Sequence, residues 1–113
     1  MLMRSTTIKI GNRTYSIASL CDNEFDQLLS CHGICDEDIK SFVNYDDQII
    51  VVRERLSLEH KQELVLHELI HACLNDVGLR QSEEVEQFVS ILTPRLSCLL
   101  SSNLMNVLDE ILT

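Results

Sequence analysis

The sequence predicts an α+β fold: a small antiparallel sheet packed on a long apolar helix, with further helices toward the C-terminus. Three observations carry that prediction. Two polar turn signals, Gly11-Asn12 and Asp46-Asp47, are flanked by β-branched or aromatic residues, so each reads as a hairpin. Apolar residues then crowd a segment bounded by a capping Ser57 and by Gly78, which reads as one long helix from Leu58. From Ser82 onward the helical period returns. At 113 residues the chain is the size of one ordinary domain, with strands and a short helix over 1–56 and a helical part over 57–113.

In chain order, TIKI and RTYSI form the first strand pair, because glycine and asparagine tolerate the positive φ that a tight hairpin turn demands. From Asp22 or Asn23, either able to cap, Phe25, Leu28 and Leu29 recur at helical spacing, and Gly33 stands where a C-terminal cap belongs. Residues 40–54, KSFVNYDDQIIVVRE, form the second hairpin, whose better strand is the β-branched run Ile49 to Val52. The helix from Leu58 has Glu59 in its first turn. Ser82 caps the next helix, with Glu83, Glu84 and Glu86 near its positive end, and it runs through Phe88, Val89 and Leu92 toward Pro94. Pro94 either kinks that helix or, with Thr93 as cap, starts a new one. Leu104, Met105, Val107, Leu108, Ile111 and Leu112 mark a last amphipathic helix.

Composition narrows the function classes. The net charge is -9, and between Asp22 and Asp47 eight acidic residues stand against Lys40 alone, so a solvated acidic face is expected and direct nucleic-acid binding is not. No stretch is long and apolar enough for a signal peptide or a membrane span, which predicts a cytoplasmic protein without membrane contact. The five cysteines are an odd number and fit reduced thiols. Cys73 and Cys98 lie in apolar runs and read as small core residues.

The stretch VLHELIHACLND breaks the pattern, because His67, Glu68 and His71 sit inside an otherwise apolar helix. Burying a polar group without a partner costs roughly 2–7 kcal/mol, so three of them require compensation. Histidines four residues apart lie on one face with Cβ atoms about 5–6 Å apart, and both imidazoles reach one ion. Glu68 points about 100° away around the helix, where its carboxylate can approach a water on that ion as a general base. Together they spell H-E-x-x-H, with a single Zn2+ as the expected cofactor.

A third ligand is needed. His60 lies two turns earlier in the same helix, about 10 Å along the axis, too far to close a tight site. The cluster SEEVEQF can pack back after the Gly78 turn. If Val85, Phe88, Val89 and Leu92 face inward, Glu84 and Glu86 flank that face on opposite sides and Glu83 points away; periodicity leans toward Glu84, one turn before Phe88.

These residues resemble the gluzincin metallopeptidases, and among small cytoplasmic ones the ImmA/IrrE type of bacteria and their phages. HELIH at 67–71 matches the family's zinc helix, and EVEQFV at 84–89 is similar to its E-A-N-x-F-A motif, with Val85 for Ala and Glu86 for Asn. Aligning Phe88 with the family Phe implies that Glu84 is the third ligand. The resemblance covers roughly residues 45–94. It implies a minimal zincin-like domain that hydrolyses peptide bonds of a protein or peptide substrate, one that could be a regulatory protein. Glu68 is then catalytic, and His67, His71 and Glu84 hold the metal. The strand at 49–52, if at a sheet edge, would bind an extended peptide. Tyr45, His60 and Arg95 are chemically able oxyanion donors. Two other readings stand beside it: a zincin-like module that holds a partner without cutting it, and a separate metal site in CHGIC, with Cys31, His32 and Cys35 and possible help from Cys21.

Overall fold

In a computed structural model, residues 5–36, 38–101, 110 and 112 are described. The elements are β1 (Ser5–Ile10), β2 (Arg13–Leu20), α1 (Asp22–Cys31), β3 (Ser41–Asn44), β4 (Ile49–Arg53), α2 (Leu58–Asp76) and α3 (Glu83–Ser101). The architecture is α+β, and both hairpins form, closed by Gly11 at φ 60° and by Gln48 at φ 54°. The last helix expected at 104–112 lies, apart from residues 110 and 112, outside the described residues.

The sheet is mixed and not antiparallel. Its order is β1-β2-β4-β3, and β2 and β4 run parallel, with Ile17 opposite Ile50 and Ala18 opposite Val51. Local turns make antiparallel pairs, but the crossover through α1 and β3 returns β4 alongside β2 in the same direction. That puts β4 in the interior and β3 at the edge. Ile50, Val51 and Val52 are buried accordingly, as a strand covered on both faces requires.

Alternation sorts the side chains into two cores. On one face Ala18, Leu20 and Val51 meet Phe25 and Leu29 of α1; on the other Ile10, Tyr15 and Ile50 meet Ala72 of α2, with Leu69 beside them. α3 packs against α2.

α1 is capped by Cys21 without a side-chain hydrogen bond, because Asp22, an expected cap, reaches instead to the guanidinium groups of Arg53 and Arg55. Arg53 is 3% exposed. Its Nη1 and Nη2 donate to Asp22 and Asp26 at 3.0 and 2.8 Å, its Nε donates to the Ile39 carbonyl at 2.7 Å, and its guanidinium lies over the Phe25 ring. Part of the acidic segment is thus neutralised from β4 and is not merely solvated.

α2 and α3 depart from expectation at their apolar faces. Cys73 and Cys98 are exposed, not in the core. α3 continues through Pro94 without a restart, and Thr93 does not cap a new helix: its hydroxyl donates back to the Val89 carbonyl at 2.7 Å. Val89 and Thr93 are buried, whereas Phe88 is 58% exposed. Among the described residues no helix is long and apolar enough to cross a membrane.

Candidate functional site

Backbone signals at both ends of the α2–α3 hairpin fix the phase of the site. Ser57 Oγ accepts from the His60 amide and starts α2. At its far end Gly78, at φ 82°, donates to Asn75 and Leu79 donates to Leu74, the paired bonds of a Schellman turn. Ser82 Oγ then accepts from the Val85 amide and starts α3. The result is two helices joined by residues 77–82, with the second folded back on the first.

This arrangement brings His67 and His71 to one carboxylate, that of Glu86. Glu86 Oε1 lies 3.0 Å from His67 Nε2, and Oε2 lies 2.6 Å from His71 Nε2. The imidazole centroids are 4.9 Å apart in an edge-on arrangement. One ligand atom from each of the three residues falls within 4.8 Å of the others, the single such group of three or more metal-ligating side chains among the described residues.

Glu84, expected as the third ligand, is exposed and outside this group, as is Glu83. The difference in placement follows from Phe88. With Phe88 turned outward and Thr93 inward, the centre of the buried face moves to Val85, Val89 and Thr93, and Glu86, about 60° around from Val89, borders it. Glu84 lies about 140° from Val89 on the same count.

The polar groups of the cluster are only partly satisfied by protein. His71 is 5% exposed; its Nε2 makes no hydrogen bond, and a Glu86 oxygen lies 2.6 Å from it as an ionic contact. Burial holds the His67 imidazole below its ordinary pKa; the Glu86 charge opposes this and His71 adds to it, so His67 favours the neutral form that ligates metals. Glu68 is 7% exposed, and burial pushes its carboxyl up to about 7, with Glu86 adding to the rise while His71 and the Ser41 hydroxyl oppose it. Ser41 Oγ, on edge strand β3, donates to Glu68 Oε2 at 3.3 Å.

A cleft of about 670 Å³ runs over these groups, between β3 and the α2–α3 pair; Ser41, Val43, Tyr45, Glu68 and Gln81 are among the residues lining it. Of the three possible oxyanion donors, Tyr45 alone is in this cleft. His60 lines a smaller cavity with Glu63 and Ser90, and Arg95 donates to the Ile91 carbonyl of its own helix. Burial is the largest influence raising the Tyr45 phenol to about 12, followed by the charge of Glu68. It therefore stays protonated and able to donate.

Two imidazole nitrogens and a carboxylate could hold a metal ion, and a donor set of this kind, with a buried His71 Nε2 that makes no hydrogen bond, is one zinc accepts. The CHGIC stretch is not assembled: Cys31 and Cys35 are exposed, and His32 Nδ1 bonds the Leu28 carbonyl while Nε2 faces Asn44 at 2.6 Å. Glu86, Ser41 and Gln81 are the site residues that sequence reasoning did not select. Glu86 was within reach had Phe88 been read as outward; nothing in the sequence marks Ser41 or Gln81. No protein-family model, no curated protein and no solved structure matches this chain.

Proposed function

We propose that this chain is a zinc-dependent metalloendopeptidase of the gluzincin kind, resembling the ImmA/IrrE type, with His67, His71 and Glu86 as metal ligands and Glu68 as general base. The observation that carries the reading is the convergence of two histidines and a carboxylate beside a buried fourth group, Glu68, in one cleft. A zinc ion there would supply the positive charge that acidifies water and polarises a carbonyl. The chain's own residues do the rest. Glu68, with a carboxyl pKa near the operating pH, takes a proton from the attacking water and returns it to the leaving amine. The Tyr45 hydroxyl donates to the developing oxyanion. Edge strand β3 offers unpaired backbone groups along the cleft wall to an extended peptide, the role that sequence reasoning gave to β4.

Zinc measured per chain, beside cleavage of a degenerate peptide library read by mass spectrometry, tests this. The wild type is expected to hold one zinc; His71→Ala and Glu86→Ala lose it, and Glu84→Ala keeps it. Glu68→Gln should keep the metal and lose cleavage by roughly 10³–10⁴-fold. Full activity in Glu68→Gln would remove Glu68 from the reaction, and stoichiometric zinc with no cleavage of any substrate would make the protein a partner-holding module.

A further inference from the structure

The connection between α2 and α3 carries a side chain to which the proposed function gives no role. Gln81 stands directly before the capping Ser82, and its Oε1 lies 2.8 Å from His71 Nδ1. An amide oxygen only accepts hydrogen bonds, so this contact requires the hydrogen to be on Nδ1. A neutral imidazole carries one such hydrogen, and Nε2 is then left with its lone pair. His71 Nε2, like Gln81 Nε2, is buried without a hydrogen-bond partner, and it lies 2.6 Å from a Glu86 carboxylate oxygen. When Nε2 ligates a metal ion the hydrogen must be on Nδ1, and only the orientation that turns Gln81 Oε1 to the ring gives it an acceptor. Ligating histidines commonly donate their second ring N–H to an oxygen in this way, which fixes the ring and raises its basicity. Among the described residues His67 has no corresponding bond at Nδ1.

We infer that Gln81 is a positioning residue that accepts from His71 Nδ1–H, sets the ring as that tautomer and so presents Nε2 as the ligating atom beside Glu86. As a role in metal binding, this rests on the ligand set proposed above. The hairpin then supplies both a ligand, Glu86, and the group that prepares another ligand on the facing helix. Of the two histidines, His71 is preset by the protein and His67 is set by the ion.

Two measurements test it. In metal-stripped protein labelled with ¹⁵N-histidine, with the His71 ring neutral, it should show the Nδ1–H pattern in the wild type. Gln81→Leu should shift it toward the Nε2–H form, and Gln81→Glu, which retains an acceptor, should keep the wild-type pattern. In chelator competition Gln81→Leu should weaken zinc binding by roughly 10–100-fold, while Gln81→Glu binds at least as tightly as wild type. Circular dichroism checks that each variant is folded. An Nε2–H tautomer in the wild type, or a Gln81→Leu variant with unchanged tautomer and unchanged affinity, overturns the inference. The two proposals fail separately: a Gln81-dependent tautomer in a protein that takes up no zinc upholds the positioning role and removes the metallopeptidase reading, whereas tight zinc binding with a tautomer indifferent to Gln81 does the reverse.

Discussion

The sheet separates two groups of buried polar side chains that are treated in opposite ways. On the α1 face, Arg53 is surrounded by Asp22, Asp26, the Ile39 carbonyl and the Phe25 ring. On the α2 face, His71 keeps an unpartnered nitrogen, Glu68 is held protonated into the neutral range, and His67 and His71 converge on one carboxylate. The first group is closed by protein; the second is left open to something further. Burial therefore says little by itself about function, and the state of the hydrogen bonds around the buried group says more.

The contrast can be broken from either side, and the largest effect is expected at Glu68. Its carboxyl pKa is raised from 4.5 to about 7, so the folded state holds this proton more tightly than the unfolded state does. The associated stability is fully present below pH 4.5 and is lost as pH rises through 7. In metal-stripped protein Glu68→Gln should therefore exceed wild type in stability at pH 8, by on the order of 3 kcal/mol, with the gap closing below pH 4.5. Denaturant titration at the two pH values measures it. A wild type as stable as the variant at pH 8 would mean that Glu68 is not under strain.

Tyr45→Phe comes next. On the proposed function, removing the Tyr45 hydroxyl should lower kcat by roughly 10²-fold, with zinc content and stability unchanged. An effect on zinc content would place Tyr45 among the groups that hold the metal. The smallest effect is expected on the closed side. Arg53→Met should lose about 2 kcal/mol of stability, because Asp22 and Asp26, each about half exposed, recover water when the guanidinium goes. Zinc stoichiometry should not change, and a loss of zinc in that variant would show that the two faces are coupled.

Much of this arrangement was legible from local signals. Ser57, Gly78 and Ser82 set the ends of the α2–α3 hairpin, and the spacing of His67 and His71 places them on one face. What escaped depends on residues distant in sequence. The parallel pairing of β2 with β4 is set by a crossover, although the unbroken run Ile49 to Val52 is what a strand buried on both faces looks like. Arg53 finds its carboxylates on a helix that pairing alone brings near. Glu86 was displaced by Glu84 because a single aromatic, Phe88, was assumed to face inward; on a helix, one misassigned residue rotates the whole face.

The short α2–α3 connection also bears on the order of assembly. His67, Glu68, His71, Gln81 and Glu86 all lie within residues 67–86, so bringing them together closes only a short loop of chain. The parallel ladder between β2 and β4 must instead close the whole of α1 and β3. The candidate cluster is thus a unit of low contact order attached to a sheet of higher contact order. An ion that binds it early would clamp the helical hairpin before the sheet is complete.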